Sequence, residues 1–229
     1  MMKNYTLEIT TLSDGCFGSG EGLAGLVDLE TAYERDTGLP IISGKTIKGL
    51  IVEAAGDLLY TTQHLQKENR WQQKANELFG QPGAGSASGN NLLRIGNASF
   101  PESIGNALLQ KFQSQSPNDI ELSPPEVLES LTSIRRQTAM DDETGIPDAG
   151  SLRSQRLVLR DTNFFARVDM TDDSDALALF CACILSIHRG GSGRNRGKGR
   201  LKMRLLDDGQ EITKGQAELF FKSFNKEDA

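Results

Sequence analysis

Between Gly190 and Leu205 the chain sets five glycines and six cationic side chains in a run that contains no acid, although the whole protein carries a net charge of -6. Gly191 and its fellow glycines let the backbone approach a ligand closely and turn its N–H groups toward oxygen atoms. Arg194, Arg196, Lys198 and Arg200 add positive charge to the same turn. This is chemistry suited to an anion, above all to phosphate. A solvated basic loop leading into an edge strand has the same composition, so the stretch alone leaves both readings open.

Two further places repeat the pattern. In Ser43-Gly-Lys-Thr-Ile-Lys-Gly49, Ser43 can cap a helix of about four turns whose apolar positions Ile47, Leu50, Ile51, Ala54, Ala55 and Leu58 follow helical spacing. Lys45 and Lys48 then sit in its first turn, against the macrodipole, an arrangement that makes sense if they and the N–H groups of Gly44 and Thr46 face an anion. The segment Ser133 to Arg160 reads as a long irregular hairpin, with Asp141, Asp142, Gly145, Pro147 and Gly150 at its centre and Arg135, Arg136, Arg153 and Arg156 on its arms. Three separated cationic sites suit a polyanion bound through several phosphates, and RNA is the natural candidate.

Other chemistries fit poorly. Gly44-Lys45-Thr46 is the tail of a nucleotide-binding P-loop, but the motif needs a glycine where Leu39 stands, and Pro40 spoils the loop. A Ser-His-Asp set would have to use His64 or His188, and no nucleophile elbow accompanies either. With three cysteines, of which Cys181 and Cys183 point to different faces of a helix and Cys16 stands alone, neither a zinc site nor a disulfide framework is expected.

The elements that must position these residues can be read in order. Tyr5, Leu7 and Ile9 alternate with polar residues as a half-buried strand, followed by a glycine-rich loop from Asp14 to Gly25 and a turn at Asp36 and Gly38. After the helix at Ser43, residues 63–91 read as a flexible insertion holding a short apolar piece, Ala75 to Phe79. A strand near Leu92 to Phe100, a weak helix near Ile104 to Phe112, and a break from Pro117 to Pro125 come next. Phe164, Ala166 and Val168 form a strand; Asp172 to Asp175 cap a buried helix over Ala176 to Ile187. Leu201, Met203 and Leu205 make the strand after the glycine loop, and a last helix covers Lys214 to Phe224.

This order predicts one α+β domain over 1–229, a ferredoxin-like (RRM-like) antiparallel sheet with helices on one face and a hairpin inserted at 133–160. At 24.9 kDa there is mass for one sizeable core. No apolar run is long enough to span a bilayer and the opening residues hold no signal-peptide core, so a cytoplasmic protein without a membrane partner is expected.

The string Gly38-Leu-Pro-Ile-Ile-Ser-Gly-Lys-Thr-Ile-Lys-Gly49 resembles the G-L-P-x-I-P-G-S-S-L-K-G signature of the RAMP superfamily of CRISPR-associated proteins, with Ser43 in place of the usual proline and Lys45 in place of the usual serine. Leu78-Phe79-Gly80 before a strand is similar to the family's LFG segment. Ile134 to Phe165 resembles its thumb hairpin, and Gly190 to Arg200 its glycine-rich loop. The resemblance is closest to the backbone subunits of type III effector complexes. It implies a subunit that binds a CRISPR guide RNA through Ser43, Gly44, Lys45, Thr46, Lys48, Gly191, Arg194, Arg196, Lys198 and Arg200. The thumb residues Arg135, Arg136 and Met140 would push between bases of the guide–target duplex, at an unstacking cost of a few kcal/mol.

The family's target-cleaving aspartate falls on Asp28, in Gly25-Leu-Val-Asp-Leu-Glu30, with Asp14, Glu21 and Glu30 as weaker candidates. Asp28 could hold a divalent metal, Mg being the expected one, or orient a 2′-hydroxyl on the adjacent phosphate. An acid that only caps its loop is the plainer reading of the same residue. Implied partners are target RNA, further copies of the chain stacked head to tail, and other effector subunits. The alternatives are a non-cleaving capping or handle-binding RAMP subunit and a guide-processing ribonuclease; the latter needs a base that no residue obviously supplies.

Overall fold

The computed structural model describes residues 2–18, 27–65, 69–80, 92–115, 122–141, 143–148 and 150–225. In chain order the elements are β1 (Met2–Thr11), α1 (Gly44–Thr62), α2 (Arg70–Phe79), β2 (Leu93–Ile95), α3 (Glu102–Ser114), α4 (Pro124–Leu131), β3 (Thr132–Gln137), β4 (Arg153–Val158), β5 (Asn163–Thr171), α5 (Ser174–Ser186), β6 (Leu201–Asp207), β7 (Gln210–Glu211) and α6 (Thr213–Asn225).

Five strands form one sheet in the order β2-β5-β1-β6-β7, antiparallel throughout. Its period-2 pattern sorts side chains by face. Leu7 lies beside Ala166 and Leu205, and Ile9 beside Phe164 and Met203, so one face is apolar and buried. The other carries Thr6, Glu8, Arg167, Asp169, Lys202 and Arg204, with Arg204 paired to Glu8 at 2.8 Å. Helices α1, α2, α5 and α6 share the core with the apolar face, while α4 packs against β3. This is the ferredoxin-like arrangement read from the sequence, with β1-α1-β2 and β5-α5-β6 as its halves.

Helix α5 is enclosed by the sheet, α1, α2 and α6. Ala176, Ala178, Cys181, Ala182 and Cys183 are all buried, because small side chains let neighbouring elements approach from every direction. Burial raises the Cys181 thiol to about 12, so it is an inert packing group.

Two elements differ from the sequence reading. Residues 70–79, expected within a flexible insertion, form α2 and place Trp71, Ala75 and Leu78 in the core. Trp71 packs edge-on against Phe220 at 4.8 Å, and its Nε1–H donates to Ser223 Oγ at 3.1 Å. The helix is polar on its other face, which hid the i, i+4, i+7 stripe that anchors it. Of the rest of that insertion, Gln63–Leu65 make a short 3-10 turn after α1, and residues 66–68 and 81–91 lie outside the described residues. Of the break expected at Pro117 to Pro125, residues 117–121 lie outside the described residues, and its end begins α4: Pro124 occupies the first helical position, and the Glu126 carboxylate accepts from the N–H of Ser123 at 2.7 Å and from its Oγ at 2.8 Å. Proline is tolerated there because no intrahelical bond needs its missing N–H.

Candidate nucleic-acid interface

The inserted hairpin is the hub around which the candidate residues gather. β3 and β4 pair antiparallel with Arg136 opposite Ser154 and Arg135 opposite Gln155. On the free edge of β4, residues 28–30 run parallel to it: Leu29 N–H donates to Ser154 O at 3.1 Å, and Arg156 N–H donates to Leu29 O at 3.0 Å. A short third strand is thereby added to the hairpin base, and its alternation decides what each acid faces.

Asp28 is exposed and shares a face with Ser154. Its Oδ2 accepts from the Ser154 N–H at 2.6 Å and from Ser154 Oγ at 2.9 Å. The backbone N–H bond from Ser154, then that of its hydroxyl, hold the Asp28 carboxyl below the ordinary carboxylate range. Both donors act on one oxygen, Oδ2. Glu30, two residues on and on the same face, is only 4% exposed and lies 2.8 Å from Arg156 Nε. Arg156 Nη1 also donates to Thr132 Oγ1 at 3.2 Å. Glu30 and Arg156 thus form an internal pair. Arg156, read as part of a basic arm, is not presented to a ligand because it neutralises this buried acid.

On the opposite face of the hairpin, Arg135 is ion-paired to Asp14 at 2.7 Å, and Lys198 Nζ donates to Gln155 Oε1 at 3.2 Å. Lys198 is 5% exposed and lines a cavity of about 300 Å³ together with Ser13, Asp14, Arg135, Arg160 and Gly197. The glycine loop is seated by backbone contacts: Gly190 N–H on Gly199 O at 2.8 Å, Gly199 N–H on Asp14 O at 2.9 Å, Ser192 N–H on Cys16 O at 2.8 Å. Two positions admit only glycine. A Cβ at Gly191 (φ +81°) would lie 2.4 Å from Cys16 O, and one at Gly199 (φ +66°) 2.0 Å from Gly190 O. Arg194 is clamped by both oxygens of Glu53 on α1, at 2.8 and 2.5 Å, whereas Arg196 and Arg200 are exposed with no acidic partner among the described residues. The Arg194 guanidinium in turn holds the Glu53 carboxyl below its usual value.

At the start of α1, Ser43 Oγ accepts from Thr46 N–H at 3.2 Å, as expected of an N-cap. Gly44 N–H, however, donates to Asn97 Oδ1 at 3.0 Å. Two of the first-turn donors expected to face an anion are therefore satisfied internally. The Lys45 N–H has no partner among the described residues, and the Lys45 side chain is exposed, with Lys48 half-buried. Met140 lies at the far end of the hairpin, 53% exposed and bridged to Pro147, away from the Asp28 row.

The family model of the RAMP superfamily matches residues 8–202. The chain belongs to the RAMP superfamily. Among solved structures, this RAMP chain is similar to a chain in the cryo-EM structure of the type III-B Cmr-beta bound to cognate target RNA, at 15% identity and a TM-score of 0.64, covering 90% of this chain and 98% of that one. A chain of type III-B Cmr-beta in the apo state matches at 16% identity and a TM-score of 0.61, with the same coverage. No curated protein matches it in sequence. At these identities the likeness establishes the fold, and the RAMP signature at Gly38 to Gly49 accordingly occupies the turn and first helix of a ferredoxin-like half.

Some residues of the RAMP chain were not legible in advance. Ser154 and Gln155 are ordinary polar residues in a basic arm, and nothing in their spacing announces contacts to Asp28 and Lys198. Asp14 and Glu30, weaker candidates for catalysis, are engaged by Arg135 and Arg156. Glu21 lies outside the described residues. Among the described residues no helix is long and apolar enough to cross a membrane.

As for a metal, no cluster of three or more His, Cys, Asp or Glu occurs among the described residues. Among the described residues, the donor that could hold a metal is Asp28 Oδ1. That suits a hydrated divalent ion completed by water and RNA phosphate, as Mg²⁺ is commonly held, and not a cage built by protein.

Proposed function

We propose that this chain is a backbone subunit of a type III CRISPR effector that holds guide RNA and cuts the complementary target RNA beside Asp28. The observation that carries the reading is the Asp28 carboxylate: ionised, exposed, fixed by two donors on one oxygen, and set at the base of a cationic hairpin. Membership of the RAMP superfamily and likeness to chains of a type III-B assembly that binds cognate target RNA support it.

RNA backbone lies along Lys45, Lys48, Arg196 and Arg200, with Lys198 and Arg135 lining the cavity at the hairpin base. Base pairing, not protein, reads the sequence. The hairpin end with Met140 enters the duplex and splays one target nucleotide. Asp28 Oδ1 accepts the 2′-hydroxyl of that nucleotide. The 2′-oxygen bonds to phosphorus as the bond to the 5′-oxygen breaks; the hydroxyl proton passes to Asp28, and the departing oxygen takes a proton from water. A bound Mg²⁺ would be held by Asp28 and would supply charge for the phosphate.

The test is Asp28→Ala in the effector assembled with guide RNA. Target cleavage is lost while target binding is unchanged; cleavage at the normal rate would remove Asp28 from the chemistry. A discrete cut in a guide precursor by the lone protein would instead favour a processing ribonuclease.

A further inference from the structure

The three-stranded base of the hairpin lines up side chains in rows on one face. Leu29 is bridged to Gln155, which places Asp28 level with Ser154, and the β3–β4 register places Ser154 level with Arg136. The row is therefore Asp28, Ser154, Arg136. The next row is Glu30, Arg156, Ile134, and there the acid and the base are adjacent, touch, and bury each other. In the first row a serine separates them. With strands about 4.8 Å apart, Asp28 and Arg136 stand about 10 Å apart at their backbones. Asp28 and Arg136 form no ion pair in this structure, and the gap between them is wide enough for a phosphodiester resting over Ser154.

The state of each residue agrees with this division. Ser154 is 8% exposed and spends its N–H and hydroxyl on Asp28 Oδ2. Arg136 is exposed, and its guanidinium has no partner among the described residues. Of the other arginines on the two arms, Arg135 is held by Asp14 on the far face and Arg156 is held by Glu30; Arg153 alternates with the Arg135 row at its backbone, yet its charge reaches Asp28 and helps to hold that carboxyl down. Arg136 is thus the exposed cation that the register sets in the Asp28–Ser154 row itself, with Arg153 acting on Asp28 from the neighbouring position.

We propose that the hairpin completes the Asp28 site, with Ser154 as the positioning residue for the carboxylate and Arg136 as the residue that meets the phosphate being cut. This rests on the reading of Asp28 given above. As the 2′-oxygen attacks, negative charge grows on the non-bridging phosphate oxygens, and a guanidinium offers paired N–H donors to them. Because β4 carries Ser154 and pairs with the strand carrying Arg136, seating the hairpin on RNA would set both ends of the row in one movement.

The experiment measures single-turnover cleavage of guide-complementary target RNA by the assembled effector, beside equilibrium binding of a target with a 2′-deoxy residue at the cleavage position. Arg136→Ala is expected to slow cleavage about a hundred-fold, the range for removing one preorganised donor, with binding of the uncut target unchanged. Arg136→Lys recovers part of the rate. Ser154→Ala slows cleavage about ten-fold and Ser154→Thr, which keeps the hydroxyl, restores it, which a purely structural contact would not require. If Arg136→Ala cuts normally while Asp28→Ala is dead, the row is not the site and the reading of Asp28 survives. If Arg136→Ala weakens binding in proportion to cleavage, Arg136 is an affinity contact and the proposal fails. Normal cutting by Asp28→Ala overturns both.

Discussion

The hairpin base and the glycine loop are both basic in sequence, yet they are built on different principles. In the glycine loop the backbone carries the specification: Gly191 and Gly199 occupy conformations and clearances that no other residue fits, while the cations project from whatever turn results. At the hairpin base the backbone is an ordinary ladder, and the specification lies in which side chain stands opposite which. The first plan suits a surface that must follow a polymer regardless of its bases. The second suits a place where one bond is to be acted upon.

The largest effect separating the two should come from the buried row. Glu30→Gln leaves Arg156 buried beside an uncharged partner and should destabilise the protein by about 3–5 kcal/mol, read by denaturant unfolding, whereas Glu30→Gln combined with Arg156→Met should recover most of it. Similar loss in the single and double variants would mean that the pair is not what holds the strip to β4. Gly199→Ala comes next: positive φ costs about 1–3 kcal/mol before the clash with Gly190 O is counted, so both melting temperature and RNA affinity should fall. An unchanged melt would show that the loop relaxes freely and that its geometry is not specified as described.

Charge changes should be milder and should not touch stability. Arg196→Ala with Arg200→Ala removes two exposed cations and should reduce the salt dependence of single-stranded RNA binding by about 1.4 in log–log slope, since each phosphate contact contributes about 0.7. A preserved slope would exclude them as phosphate contacts. Smallest of all, Glu53→Gln frees Arg194 from its bidentate clamp and should tighten RNA binding a few-fold with a steeper slope; weaker binding would mean that the clamp is needed to shape the loop.

Much of this molecule could be read along the chain. Tyr5, Leu7 and Ile9 announced a strand, Ser43 a cap, and the unbroken apolar run of α5 its burial, because each depends on neighbours within a few residues. Helix α4 was missed, because its Ser-Pro-Pro-Glu start, although a capping signal, sits in a stretch that looks like a break. Helix α2 was missed as well, since its stripe is three residues wide and acquires meaning only against Phe220 and Ser223. The donors at the start of α1 looked open to an anion until Asn97, 53 residues away, took one of them.

By itself the sequence determined the ferredoxin-like halves and the three cationic places, which follow from periodicity, caps and local charge, and it carried the string that resembles the RAMP signature. Only the tertiary structure gives Asp28 and Glu30 their different surroundings. Both are acids on one face of one strip, and their difference arises 126 residues further on, where β4 presents a serine to one and an arginine to the other. A hydroxyl leaves a carboxylate charged and exposed; a guanidinium in a buried position closes over it. That choice is made by register between distant strands, which no local pattern encodes.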